Sequence, residues 1–271
     1  PGAENAFPGV ATAFSDSVPM LFLPMGHQTN RAQVFPNFSS ARVFDPVTKS
    51  VETLSAPGQV GEVMRRAFGL LRMGRPGPVM VEIPWDLADQ NVDESVVESY
   101  NPVKAARSAA DPQDIARAAE ALVQAKCPVI YAGQGVLYAD ASSELVKLAE
   151  LLQAPVTTSL EGKSAFPEDH PLSIGSSSGL VPTPIFHFFQ RSDLVFGIGC
   201  SWTSHPMAMS LPSGKTVIHA TGDPRDINKN YAVDYPVIGD AKLVLRQFIE
   251  AVEELLGKNV PCKDGAVVEE V

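Results

Sequence analysis

The chain reads as an α/β protein made of two parallel-sheet domains, and three observations predict this. Short apolar runs closed by Gly or Pro alternate with stretches of helical period in both halves. Strands that alternate with helices in this way imply a parallel sheet in each half. Between the halves lies an acid-rich, aperiodic stretch, residues 88–108. The expected division is 1–92 for the first domain, 93–108 for a linker, 109–257 for the second domain and 258–271 for a tail.

The elements follow in order. The turn pair Pro1-Gly2 leads straight into Ala6, Phe7, Val10, Ala11 and Phe14, spaced by three and four as on a half-buried helix. The apolar run 17–25, bounded by Pro, predicts a buried strand. After a long loop, Val60, Val63, Met64, Ala67, Leu70 and Leu71 mark one side of a helix that stops before Gly74. Pro76-Gly77-Pro78 then turns the chain into a strand over 79–83, ended by Pro84.

In the second half, Asp111-Pro112 is an N-cap followed by Pro at the first helical position, opening a helix to about residue 125. Strands are expected at 127–133, 155–160, 193–199 and 214–221, with helices at 142–154 and 183–192. A long helix from Asp240 to Gly257 closes the domain, with an acid start and a Gly stop. This is the pattern of a doubly wound sheet, whose ligands gather beyond the carboxyl ends of its strands.

Composition narrows the partners. The hydrophobic content is 45% and the charged content 19%, ordinary for a globular protein. A net charge of −10 argues against nucleic acid, which calls for clustered Lys and Arg. No apolar run approaches the roughly 20 residues of a membrane-spanning helix, and no secretory leader is visible. Cys127, Cys200 and Cys262 form neither a disulfide framework nor a zinc motif, so a cytoplasmic setting is expected.

Four strand-end loops of the second domain could meet a ligand. Gly133, Gln134 and Gly135 could bring backbone amides to a phosphate, or simply form a tight turn. Thr158, Ser159 and Leu160 lead into a charged lip containing Glu161, Lys163, Glu168, Asp169 and His170. Gly197 and Gly199 precede Ser201, Thr203, Ser204 and His205, with His205 either a switchable base or a surface donor. The fourth loop, 219–231, is expected to put His219 and Asp223 after a strand, and Asp223 could accept from a ribose or cap a helix. In the first domain, His27 and Gln28 follow the strand at a ligand-facing position. The residues alone show no triad, carboxylate dyad or metal cluster.

Taken together, these stretches resemble the thiamine-diphosphate-dependent enzymes of the acetolactate synthase and pyruvate oxidase type. The resemblance rests on "PGAENAFPGVATAFSDSVP", "PVTK", "GRPGPVMVEIPWDL", "CPVIYAGQGV", "KSAFPEDHP" and "GDAK", in that order, and extends to about residue 257. It implies that residues 1–92 are the later half of the pyrimidine-binding domain and that 109–257 are a complete Rossmann-like central domain.

The implied chemistry is decarboxylation and carboligation of a 2-oxo acid, by a homodimer or homotetramer that uses thiamine diphosphate and Mg²⁺. The family's catalytic Glu is expected upstream of Pro1 and its Mg²⁺ site downstream, so the chain alone should be inactive. By resemblance Pro1, Gly2, Asn5, Gly26, His27 and Gln28 border the aminopyrimidine ring. The family's "GQ" here reads Gly26-His27-Gln28. Gly133, Gln134, Gly135, Thr158, Ser159, Leu160 and Asp223 would be nucleotide contacts if the central domain held FAD. The family's Arg-bearing and "DID" flavin motifs are replaced by "GCSWTSH" and Thr221-Gly222-Asp223, which disfavours FAD. A stand-alone FAD- or ADP-binding module is the competing reading, and the pyrimidine-domain motifs of the first ninety residues count against it.

Overall fold

The computed structural model describes residues 1–177, 182–204 and 210–257, together with positions 267, 269 and 271. It divides the chain into two compact units, Pro1–Ala106 and Arg107–Val271.

In the first unit, helix α1 (Gly2–Ser15) feeds β1 (Leu21–Phe22) and β2 (Met25–Gly26). The expected strand over 17–25 is thus broken at Leu23-Pro24, because Pro24 has no N–H for a ladder. Next come α2 (Ser40–Phe44), a 3-10 turn Asp45–Val47, β3 (Val51–Thr53) and a 3-10 turn Pro57–Gln59. Helix α3 (Val60–Arg72), β4 (Val79–Pro84), α4 (Trp85–Ala88) and α5 (Glu94–Glu98) complete the unit.

All strand pairs in this unit are parallel. β4 is central: β1 and β2 pair with it through Leu21↔Val79 and Met25↔Ile83, and β3 through Thr53↔Glu82. The period of two along β4 sorts its side chains. Val79 and Val81 join Leu54, Val63 and Ala67, whereas Met80 packs with Val10 and Phe44 on the opposite face. Helix α5 falls within the stretch expected as linker. An Asp93 side chain accepting from Ser95 N caps it, and Val96 lies against Gly61 of α3.

The second unit contains α6 (Pro112–Gln124), β5 (Pro128–Ala132), α7 (Gln134–Tyr138), α8 (Ser142–Leu152), β6 (Val156–Thr158) and β7 (Ser173–Ser176). It continues with α9 (Thr183–Arg191), β8 (Leu194–Ile198), β9 (Thr216–Thr221), β10 (Tyr235–Ile238) and α10 (Ala241–Gly257). Asp111 accepts from Gln113 N at 2.8 Å, the N-cap that the Asp-Pro pair predicts.

The strands form one all-parallel sheet in the order β10-β9-β8-β5-β6-β7. Counted within the domain this is 3-2-1-4-5-6 read from the other edge, the order of dinucleotide-binding folds, with its switch point between β5 and β8. Alternation along β5 builds both layers. Ile130 and Ala132 pack with Leu122, Leu145 and Phe248 of α6, α8 and α10. Val129 and Tyr131 pack with Ile185, Phe188 and Phe189 of α9.

Candidate functional site

Three of the ring-side candidates stand at the carboxyl end of β2 and three at the start of α1. Gly26 ends β2 and is followed by exposed His27 and Gln28. Pro1, Gly2 and Asn5 are exposed at the start of α1, where Asn5 N donates to Pro1 O at 2.9 Å. Two carboxylates with no assigned role in the sequence reading lie beside the loop. Glu82 of β4 accepts from Ser40 Oγ and, at 3.0 Å, from Thr53 Oγ1. Asp86 of α4 accepts from Thr29 N at 3.0 Å and Thr29 Oγ1 at 2.6 Å. The Thr29 bonds hold the Asp86 carboxyl below its ordinary range. An acid inside an apolar strand pattern, Glu82 in "VMVEIP", was the signal for this cluster.

At the switch point of the second sheet, the glycines are packed backbone to backbone. A Cβ on Gly133 would stand 2.4 Å from Gly199 O and 2.5 Å from Cys200 Cα. One on Gly135 would be 2.8 Å from Gly199 Cα, and one on Gly162 would be 2.8 Å from Ala132 O. Hydrogen bonds lace the same segments: Gly133 N donates to Ile198 O at 2.9 Å and Gly135 N to Gly199 O at 2.8 Å. Amides that bond neighbouring strands are not available to a phosphate.

The remaining nucleotide candidates are likewise engaged. Gln134 Nε2 donates to Tyr138 Oη at 3.0 Å, and Thr158 Oγ1 pairs with Ser176 Oγ at 2.8 Å. Ser159 Oγ accepts from Gly162 N, while Leu160 is exposed. Asp223 is buried and caps the 3-10 turn Pro224–Asp226, accepting from Arg225 N at 3.0 Å and from Arg225 Nη2 at 2.7 Å. Both of its oxygens bond Arg225, so of the two roles weighed for it the cap is formed. These residues do not offer an open cradle to a flavin nucleotide. His205 lies outside the described residues. Among the described residues no group of His, Cys, Asp and Glu could hold a metal ion, and no helix is long and apolar enough to cross a membrane.

His219, expected after its strand, lies inside β9 and is fully buried. Its Nε2 lies 2.9 Å from Cys200 O, as a donor, and the Trp202 ring packs on it at 4.6 Å. Its Nδ1 has no partner among the described residues. Burial lowers its pKa below the ordinary 6.5. The unfolded chain therefore binds the proton more readily, so stability is full above the ordinary value and falls as pH drops below it. Urea unfolding from about pH 7.5 to about pH 5 should show wild type losing stability relative to His219→Gln. A pH-independent difference between the two would contradict a neutral, buried ring.

Comparison with known proteins agrees with this architecture. The family described as "Thiamine pyrophosphate enzyme, central domain" matches residues 115–248. A Methanococcus aeolicus protein named as an acetolactate synthase large subunit is 35% identical, over 96% of this chain and 45% of its own length. Acetolactate synthase isozyme 3 large subunit of Escherichia coli K12 is 32% identical, over 94% and 46% respectively. Glyoxylate carboligase of E. coli O157:H7 is 31% identical, over 97% and 45%. A solved structure described as a thiamin diphosphate-dependent enzyme from Mycobacterium smegmatis superposes with a TM-score of 0.78 at 25% identity, covering 93% of this chain and 49% of that one. The chain thus spans about half the length of the relatives it matches. Residues 115–248 belong to the central-domain family of the thiamine pyrophosphate enzymes, and the chain along nearly its whole length is similar to acetolactate synthase large subunits.

Proposed function

We propose that this chain supplies the aminopyrimidine side of a thiamine diphosphate site and the central domain, in an enzyme that decarboxylates a 2-oxo acid and joins the remaining unit to a second carbonyl. The observation that carries this reading is the exposed pair His27 and Gln28 after Gly26 at the carboxyl end of a parallel strand, in a chain whose relatives are acetolactate synthases and a glyoxylate carboligase. The donor set fits a heteroaromatic ring: an amide at Asn5, an imidazole at His27 and a second amide at Gln28 offer donors and acceptors. Helix α1 packs Val10 with Met80 of β4 and precedes β1 in the chain.

When bound, thiamine diphosphate supplies a nucleophilic carbon and an electron sink for decarboxylation. This chain's part is to orient the ring through Asn5, His27 and Gln28 and to shield it from water. The chain spans about half the length of its relatives, and we assign the Mg²⁺ and diphosphate contacts to other residues of a complete enzyme, a homodimer or homotetramer of the cytoplasm. The central domain serves as a scaffold without flavin, its switch-point amides being spent on the chain itself.

Calorimetric titration of the 271-residue chain with thiamine diphosphate and Mg²⁺ should give binding far weaker than micromolar, since ring contacts alone leave the charged end unbound. Stoichiometric micromolar binding would overturn the division of labour.

A further inference from the structure

Glu82 and Asp86 have no part in the proposed ring contacts, yet both act on the loop that carries them. Glu82 shares the Met80 face of β4, where it accepts from Ser40 of α2 and Thr53 of β3. Its Cγ lies 2.7 Å and its Cδ 2.8 Å from where a Cβ on Gly26 would stand. Glu82 therefore rests directly on Gly26 and joins three segments at the carboxyl end of the sheet. Asp86, one turn further along the chain, takes the backbone amide and the hydroxyl of Thr29 on its two oxygens. The loop is thus held at Gly26 by packing and at Thr29 by a two-point hydrogen bond, with His27 and Gln28 exposed between the holds.

A loop fixed before its ligand arrives loses less conformational freedom on binding, and its side chains meet the ligand in one geometry. We infer that Glu82 and Asp86 are paired positioning residues that fix the conformation of Gly26–Thr29 and so present His27 and Gln28 to a ring-bearing ligand. That they hold the loop stands on the geometry; that the ligand is the cofactor ring rests on the proposed function. Gly26 fits this device, because Gly26→Ala would drive a methyl into a carboxylate side chain already tied at both oxygens.

Hydrogen exchange on the full chain tests it, following peptides over 25–30 in Glu82→Ala, Glu82→Gln, Asp86→Ala and Asp86→Asn. Loop exchange should rise about tenfold in each Ala variant and return most of the way in Gln and Asn, which keep an acceptor oxygen, while α3 and β9 stay unchanged. Loop exchange within about twofold of wild type in folded Asp86→Ala, which empties no core position, would overturn the inference. A second arm adds millimolar thiamine and follows the His27 ring protons by NMR. Shifts that weaken in the Ala variants and recover in Asp86→Asn support both parts. Loosened loops with no thiamine-dependent shift even in wild type would leave the positioning role intact and refute the ring-contact reading.

Discussion

Gly133→Ala is expected to destabilise the central domain by about 3 kcal/mol or more. The backbone of Gly133 is ordinary, with φ −103°, so the new residue meets no conformational penalty. Taken alone, Gly→Ala at a permissive site stabilises by roughly 0.4–1 kcal/mol through the unfolded chain. Here the added methyl meets Gly199 O at 2.4 Å and Cys200 Cα at 2.5 Å, both backbone atoms. Neither can rotate away, and the hydrogen bond from Gly133 N to Ile198 O ties the two segments together. The steric effect therefore exceeds the entropic gain. Each compact unit has one tryptophan, Trp85 in the first and Trp202 in the second, so Trp85→Phe leaves Trp202 as the reporter. The Trp202 transition should move to markedly lower urea. An unchanged midpoint would show that the glycine faces open space after all.

Phe248→Ala should cost about 3–5 kcal/mol, the usual range for emptying a buried aromatic site. Phe248 is fully buried on α10 and its ring centroid lies 4.8 Å from that of Phe196 on β8, one of the contacts between the helix and the sheet. Because the rings touch, Phe196→Ala and Phe248→Ala should not add: the double variant should lose less than the sum, by about 0.5–3 kcal/mol. Chemical denaturation of the four proteins in the cycle measures this directly. Strict additivity would mean that the two rings pack independently.

The parts of the fold legible in the sequence were those with a strong period or an explicit stop. Helix α6 announced itself by Asp111-Pro112, and β5 and β8 by apolar runs ending at Gly133 and Gly199. The strands missed were short and lay at edges. β3 is Val-Glu-Thr, with little apolar signal. β10 contains Pro236, tolerable only because the strand pairs on one side alone, with β9. β7 runs through Gly175 at φ +88° and shifts register against β6, which hides its alternation.

At the candidate site, the sequence marked the strand-end loops but could not say what their small residues face. A glycine beside a phosphate and a glycine beside another strand's backbone look alike in sequence. Gly133, Gly135 and Gly162 prove to be of the second kind. The acids Glu82 and Asp86 were legible only as letters of a motif, since their partners Ser40, Thr53 and Thr29 are distant in the chain.

The ring of thiamine is expected at the carboxyl end of the first sheet and not at the glycine loops of the second. Backbone amide NMR of the isotope-labelled chain with millimolar thiamine tests this most directly. Shifts should concentrate at Gly2–Asn5 and Gly26–Gln28, with Gly133–Gly135 and Asp223 silent. Shifts confined to Gly133–Gly135 and Asp223, with the first-sheet loop unmoved, would contradict it.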